Sequence, residues 1–207
     1  MDNQQYFTDS PAASDDELRS RDVTVRGHAV TVQLSDRVFS GTRVDLGTAQ
    51  LLDQAPPLPE SGRFLDIGCG WGPIALAMAL DVPAAKVWAI DVNERALDLT
   101  RRNAAANGAP NVYVVNADDA LAEARERQVT FDRIWSNPPI RIGKQQLHDL
   151  LTTWLAFLTP ETGRAYLTVQ KNLGADSLIK WLTDQGFASR KISSKKGFRI
   201  IEVDPRS

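Results

Sequence analysis

The stretch SNPPIRIGK, residues 136–144, carries the side chains best suited to chemistry in this 207-residue chain. It follows FDRIW, an apolar run typical of a short buried strand. Asn137 offers a side-chain amide oxygen and Pro138 a main-chain carbonyl, and both accept hydrogen bonds. Proline holds φ at about −65° and restricts the residue before it. Asn137, Pro138 and Pro139 therefore predict a rigid pair of acceptors for an amino group; the alternative is a loop that only ends the strand.

A second set of candidate residues occurs where the predicted strands RFLDI and AKVWAID end. The first strand leads into GCGWG, in which Gly68 and Gly70 permit a tight turn and the close approach of a ligand. Asp91 ends the second strand, where an acid can accept hydrogen bonds from both hydroxyls of a ribose. Pro73 stands where the dinucleotide motif G-x-G-x-x-G needs its third glycine. Asp66, just before the turn, suits a cationic ligand better than a pyrophosphate.

These residues need a scaffold that brings strand ends together, and the rest of the chain predicts one. Strands and helices alternate from residue 63 to residue 186, which indicates a doubly wound parallel α/β sheet. Ligands bind at the carboxyl ends of the strands in such sheets. Only Ser194–Gly197 separates the last two strands, and a parallel pair needs about a dozen connecting residues. We therefore expect the last two strands to be antiparallel.

The N-terminal part of the chain has a different pattern. VTVRGHAVTVQL, residues 23–34, alternates apolar and polar residues around a glycine and predicts a β-hairpin. The polar, acidic start predicts a mobile tail over 1–19. The remaining 20–207 are expected to form one domain, with the hairpin and a proline-rich connector over 20–60 and a Rossmann-like core over 61–207.

Composition narrows the class of protein further. Hydrophobic residues make up 43% and charged residues 24% of the chain, which is ordinary for a globular protein in water. Cys69 is the only cysteine, so an internal disulfide framework and a cysteine-rich zinc site are excluded, and no metal site is predicted. The chain begins with no apolar signal region and has no apolar run near the roughly 20 residues of a membrane span. A cytoplasmic location is the expectation.

The motif DIGCGWG, with Asp91 and Asp118 at the two following strand ends, resembles that of the class I S-adenosylmethionine (AdoMet)-dependent methyltransferases. The resemblance implies a seven-stranded Rossmann-like sheet and AdoMet as the cofactor. It places the methionine moiety at Asp66 and the glycine turn, the ribose at Asp91, and the adenine near Asp118. Taken alone, Asp118 and Asp119 also suit a helix N-cap. The cofactor-binding residues that the resemblance implies are Asp66, Gly68, Cys69, Gly70, Asp91, Val92, Ala117, Asp118, Asp119, Asn137, Phe39, Gly47 and Thr48.

The Asn-Pro-Pro-x motif resembles that of methyltransferases that act on the amino groups of nucleobases or of glutamine amides. By this resemblance Asn137, Pro138 and Pro139 are the catalytic residues. Such an amine is a poor nucleophile because its lone pair is delocalised, and two acceptors can orient it to free that lone pair. Those enzymes usually have Tyr or Phe in the fourth position, where this chain has Ile140, which supplies no π-stack.

Three segments narrow the resemblance to one branch of these enzymes. VFSGTRVDLGTAQLL, NPPIRIGK and GFRIIEV resemble segments of the ribosomal small-subunit RNA guanine-N2 methyltransferases. This implies methylation of guanine N2 in ribosomal RNA, either free or within a small ribosomal subunit particle. The alternatives are a glutamine-amide or adenine-N6 methyltransferase, and a non-catalytic RNA-binding or assembly factor with a vestigial AdoMet site.

Charge is unevenly distributed along the chain although the net charge is only −2. Residues 1–22 carry two basic and six acidic side chains, whereas residues 141–199 carry ten basic and four acidic ones. Such a basic region is either a solvated surface or a face that meets an anionic partner, and RNA is the partner we expect. The predicted substrate-binding residues are Ile140, Arg141, Lys144, Lys195, Lys196, Phe198 and Arg199.

Overall fold

The computed structural model describes residues 14–35, 44–139 and 143–206 of the chain. These ranges contain a short 3-10 turn at Asp15–Glu17, another at Lys171–Leu173, and the helices and strands that make up the fold. The strands are β1 (Arg19–Val25), β2 (His28–Leu34), β3 (Arg63–Ile67), β4 (Lys86–Asp91), β5 (Val112–Asn116), β6 (Arg133–Ser136), β7 (Arg164–Gln170), β8 (Phe187–Lys195) and β9 (Phe198–Arg206). The helices are α1 (Leu46–Gln54), α2 (Pro73–Asp81), α3 (Glu94–Ala106), α4 (Ala117–Glu126), α5 (Lys144–Leu155) and α6 (Ala175–Asp184).

Seven of these strands form one sheet in the order β5-β4-β3-β6-β7-β9-β8. The first five are parallel, and β9 is antiparallel to both of its neighbours, so the predicted fold class is confirmed. The chain order reverses between β3 and β6. Ile67 pairs with Ser136, which brings the carboxyl ends of these two strands side by side. A crevice at such a switch point is where open α/β sheets bind ligands.

Both faces of the sheet are buried under helices. Phe64 and Trp135 belong to an apolar cluster with α1, α2 and α3, while Leu65 and Ile134 belong to one with α4, α5 and α6. Consecutive residues of a strand point to opposite faces, so a strand that is buried on both sides reads as a continuous apolar run. That is why RFLDI and FDRIW lack the alternation of a half-exposed strand.

The predicted N-terminal hairpin, β1 and β2, forms a separate two-stranded sheet that lies on α3. Two asparagine side chains, one on α3 and one at its C-cap, bind the hairpin backbone as a neighbouring strand would. Asn103 accepts a hydrogen bond from the Gln33 amide at 2.7 Å and donates to its carbonyl at 3.0 Å, and Asn107 makes the same pair of bonds with Thr31. These four bonds satisfy backbone groups of an edge strand that would otherwise need water.

Arg26, in the turn of this hairpin, ties it to α1 and α2. Its guanidinium donates to Asp81 at 2.6 Å and to the carbonyls of Leu52 and Ala55, and it lies 5.1 Å from the centre of the Trp135 ring. A cation is stabilised at the carboxyl end of a helix by the exposed carbonyls there. The hairpin thereby fixes one end of α1.

The N-terminal tail predicted over 1–19 lies partly outside the described residues, which begin at residue 14. Within the described part, Glu17 binds Arg95 of α3 at 2.8 Å and β1 begins at Arg19. This end of the segment is held against α3. No helix within the three described ranges is both long enough and apolar enough to cross a membrane.

Candidate active site

Asp66 lies on β3, one of the two strands at the switch point of the sheet, and is fully buried. One carboxylate oxygen accepts a hydrogen bond from the Ala75 amide in the first turn of α2 at 3.0 Å. The other oxygen, Oδ1, is buried and has no hydrogen-bond partner within the described residues. Burial raises the pKa of Asp66 to about 8, and the nearby charge of Asp91 acts in the same direction.

The glycine turn after β3 leaves open space where a ligand could lie. Gly68 and Gly70 have φ of 75° and 58°, and a Cβ added at either one would meet no heavy atom within 4 Å. The Gly70 amide donates to Asp91 Oδ2 at 3.0 Å, while Asp91 Oδ1 accepts from the Asn93 amide at the same distance. Asp91 therefore fixes the turn, and its burial raises its pKa. Each of its oxygens keeps a lone pair for a further donor.

Cys69 packs inward from this turn and is fully buried. Its sulfur lies 3.4 Å from the Thr100 hydroxyl, and that hydroxyl also donates to the Gly70 carbonyl at 3.0 Å. Burial raises the pKa of the Cys69 thiol well above its usual range. The thiol stays protonated, which opposes a nucleophilic role for Cys69.

The residues predicted to face an adenine lie at the ends of β4 and β5. The side chain of Val92 is 50% exposed, which is high for a valine beside a crevice. Asn116 caps α4 by accepting a hydrogen bond from the Asp118 amide at 2.9 Å. Asp118 and Asp119 therefore lie in the first turn of α4 with exposed side chains. The N-cap of α4, for which both were alternatives in the sequence, is Asn116.

These features fit AdoMet. The unpartnered oxygen of Asp66 suits a cationic group, the space above Gly68 and Gly70 suits the methionine moiety, and Asp91 has acceptors to spare for ribose hydroxyls. Val92 offers an exposed apolar surface for a base. The roles of these residues remain predictions. For Ala117, the structure shows only that it is the first residue of α4.

Asn137 lies beyond the carboxyl end of β6, next to the first turn of α1. Its amide nitrogen donates to Asp45 Oδ2 at 2.8 Å and to the Thr48 hydroxyl at 3.1 Å. Asp45 also caps α1, because the same oxygen accepts from the amides of Gly47 and Thr48. Sequence reasoning missed the role of Asp45 here: in the segment DLGT it singled out only Gly47 and Thr48, as cofactor-binding residues.

Gly47 lies between Asn137 and Phe198. A Cβ at this position would lie 2.9 Å from Phe198 Cε1 and 3.2 Å from Asn137 Oδ1. The predicted cofactor residues Gly47 and Thr48 and the predicted substrate residue Phe198 are thus brought together around the candidate catalytic amide. Phe39, Ile140 and Arg141 lie outside the described residues.

Gly47→Ala is expected to lower the methyl-transfer rate at least tenfold while leaving the fold intact. Alanine stabilises a helix by about 1 kcal/mol relative to glycine, so an unhindered position would gain stability. Here the added methyl group must displace Phe198, Asp45 or Asn137. Thermal melting and single-turnover kinetics would test this, with Ala49→Gly in the same helix turn as a control; an unchanged rate in Gly47→Ala would contradict the prediction.

Two of the predicted RNA-binding cations form ion pairs with acidic residues of two helices. Arg199 is buried and forms an ion pair with Asp176, and Lys195 binds Asp53 at 2.9 Å. Lys196 is exposed in the β8–β9 turn. Lys144, at the start of α5, is exposed as well.

Lys171 adds an exposed cation that sequence reasoning missed. It follows β7 directly, and its amide donates to the Gly197 carbonyl at 2.8 Å, so it adjoins the turn that carries Lys196. An isolated lysine after a strand gives no signal of its own in the sequence. We call Lys144, Lys171 and Lys196 the basic rim of the site.

Comparison with known proteins agrees with this geometry. Residues 29–202 match the model of the methyltransferase small domain family. The uncharacterized protein YbxB of Bacillus subtilis is 32% identical over 201 residues, which span 97% of this chain and 98% of that protein. The ribosomal RNA small subunit methyltransferase C of Aeromonas hydrophila is 36% identical over 127 residues, 61% of this chain but only 35% of that protein.

The fold has close counterparts among solved structures. A 16S rRNA N2 methyltransferase of T. thermophilus, in complex with AdoMet and guanosine, superposes with a TM-score of 0.77 at 22% identity. The match covers 95% of this chain and 52% of that one. Family model, full-length relative and fold agree: this chain belongs to the methyltransferase small domain family and is a class I AdoMet-dependent methyltransferase.

Proposed function

We propose that this protein methylates an exocyclic amine, the N2 group of a guanine in ribosomal RNA. The observation that carries the proposal is the amide of Asn137 at the carboxyl end of β6, whose nitrogen is held by Asp45 and Thr48 while its oxygen has no hydrogen-bond partner within the described residues. The match to ribosomal RNA small subunit methyltransferases supports the substrate class. That match spans about a third of those proteins, so their substrate is carried over here as a proposal.

Bound AdoMet supplies an electrophilic methyl group on its sulfonium. The chain contributes orientation: Asn137 Oδ1 and the Pro138 carbonyl accept the two N–H groups of the substrate amine and turn its lone pair toward the donor. Pro138 and Pro139 keep these acceptors in place before the substrate arrives, because proline removes backbone freedom. The amine can lose its proton to solvent after transfer, so a strong base is not required.

Asp66, the turn Gly68–Gly70 and Asp91 are proposed to hold AdoMet on the adjacent side of the crevice. β3 and β6 are neighbours in the sheet, so the glycine turn and Asn137 start from the same edge. An acceptor pair and a methyl donor site at one edge would let the amine attack in line. Ile140 and Phe198 are proposed to flank the target base, with dispersion in place of a full aromatic stack.

The test is methyl transfer to isolated ribosomal particles. Particles from cells that lack this gene would be incubated with the protein and AdoMet carrying a labelled methyl group, and the nucleosides would then be separated. We expect label in N2-methylguanosine of the small subunit RNA. Label in N6-methyladenosine or in a glutamine side chain would replace the proposal by one of the other amine substrates, and RNA binding without transfer would indicate a non-catalytic factor.

The basic rim is expected to contact RNA phosphates. The double variant Lys171→Gln with Lys196→Asn removes two of its charges, and asparagine tolerates the positive φ of 49° at position 196. The slope of log affinity against log salt concentration should become shallower by about 0.7 for each lost contact with single-stranded RNA. Lys180→Gln, an exposed lysine on α6 paired with Asp184, is the matched control. Equal slopes in all three proteins would contradict a phosphate role for the rim.

A further inference from the structure

The amide of Asn137 is held in one orientation by α1. Both N–H groups of its nitrogen have acceptors, Asp45 Oδ2 at 2.8 Å and Thr48 Oγ1 at 3.1 Å. Among the contacts of the described residues, the amide oxygen is therefore the only polar atom of this side chain left for a substrate. An amide can present either end to a partner, and only the oxygen can accept a proton donor such as an amine.

Asp45 decides between the two orientations. An ionised carboxylate accepts hydrogen bonds and cannot donate one, whereas the Thr48 hydroxyl can do both. If the Asn137 amide were turned around, its oxygen would face the Asp45 carboxylate with no hydrogen between them. The substrate would then meet two N–H donors where an acceptor is needed.

The carboxylate of Asp45 is itself held firmly. The oxygen that binds Asn137 also accepts from the Gly47 amide at 2.8 Å and from the Thr48 amide at 3.2 Å. These are the free N–H groups of the first turn of α1, where a negative charge is also favoured by the helix dipole. The helix terminus thus fixes the carboxylate, and the carboxylate fixes the amide.

We propose that Asp45 and Thr48 are positioning residues that set the orientation of Asn137 for methyl transfer. The inference rests on the proposed function, since it assigns the freed amide oxygen to the substrate amine. Arg26 of the β1–β2 hairpin anchors the far end of α1, the helix whose cap and first turn these two residues form. Asp45 acts through Asn137 and touches neither the cofactor nor the substrate.

Three variants separate this role from simple helix capping. Serine is as good an N-cap as aspartate, but its hydroxyl is one bond nearer the backbone and falls short of Asn137. Asp45→Ser therefore keeps the cap and should lower kcat at least tenfold, with AdoMet affinity by calorimetry and melting temperature close to the parent protein. Asp45→Asn keeps an acceptor oxygen of the same reach and should retain most of the rate. Thr48→Val removes the second acceptor and should have the smaller effect.

The deciding measurement is a double-mutant cycle with Asn137→Ala, read as single-turnover transfer of labelled methyl groups. If Asp45 acts through Asn137, Asp45→Ser should not lower the residual rate of Asn137→Ala any further. The same fold-loss in both backgrounds would overturn the positioning role, as would a full rate in Asp45→Ser alone. A full rate in Asn137→Ala would overturn the proposed function as well, so the two failures are distinguishable.

Discussion

Asn137→Ala should reduce kcat by about 10²–10³-fold, the usual effect of deleting one preorganised polar group that stabilises a transition state. The variant loses the amide oxygen that is proposed to orient the substrate amine. It should still bind AdoMet, because the predicted cofactor residues Asp66 and Asp91 belong to β3 and β4 and are unchanged. Calorimetry with AdoMet and single-turnover methyl transfer to RNA measure the two quantities separately.

Asn111→Ala provides the matched control for loss of an asparagine side chain. Asn111 lies at the opposite edge of the sheet, just before β5, and donates to the carbonyls of Ala79, Val82 and Ala85. Its removal should lower the melting temperature and leave the rate per folded molecule unchanged. If Asn137→Ala lost AdoMet binding and transfer to the same extent, its assigned role in orienting the amine would be wrong.

The sequence predicted the scaffold well because its signals are local. Helix α3 begins after the cap Asn93 and ends at Asn107 and Gly108, residue types that favour a helix start and a helix stop. The short connection before Phe198 required an antiparallel pair, and the structure has one between β8 and β9. Because the connections between parallel strands are right-handed, alternating strands and helices are compatible with few topologies.

The candidate site could be predicted only in part, because its decisive contacts are tertiary. Asp45 and Asn137 are 92 positions apart, and nothing in either local motif indicates that they share a hydrogen bond. An aspartate is a common helix N-cap, so its residue type alone gives no sign of a second partner. The structure shows that one carboxylate oxygen serves both purposes.

In the basic C-terminal region, a local pattern of charges was misleading. Between residues 190 and 199 the sequence contains five cations and no acid, which favoured a free positive surface. In the fold, Arg190 forms ion pairs with Glu202 and Asp204 of the neighbouring strand, and Lys195 pairs with Asp53 of α1. Folding brings in acidic partners that lie outside residues 190–199. Lys196 and the unpredicted Lys171 are therefore the better candidates for RNA contact.

Asp66→Asn is expected to remove a large pH dependence of stability. The folded pKa of Asp66 is about 8 and its ordinary value is 3.8. Between these values the folded protein keeps a proton that the unfolded chain has lost, so stability falls as pH rises through this window. The fall from this one group is about 1 kcal/mol for each pH unit in the middle of the window and ends above about pH 8. Asparagine cannot ionise, so Asp66→Asn should abolish this pH dependence of stability.

Urea unfolding of the ligand-free protein at several values from pH 5 to pH 9 gives the required comparison. The free energy of unfolding of the parent protein, relative to that of Asp66→Asn, should fall steadily up to about pH 8. Asp53→Asn is the control: hydrogen bonding to Lys195 lowers the pKa of this exposed carboxyl, so its contribution changes only below the chosen range. A difference between parent and Asp66→Asn that stays constant with pH would contradict a protonated Asp66.

The same proton links stability to the proposed cofactor role of Asp66. If the buried carboxylate meets a cationic group of AdoMet, the ligand favours the ionised form that the empty site disfavours. Binding at pH 7 should then release close to one proton, and AdoMet affinity should increase as pH rises from 6 to 8. Calorimetry in two buffers with different ionisation enthalpies would detect the released proton. Asp66→Asn should bind more weakly and release none, because its side chain has no proton to lose.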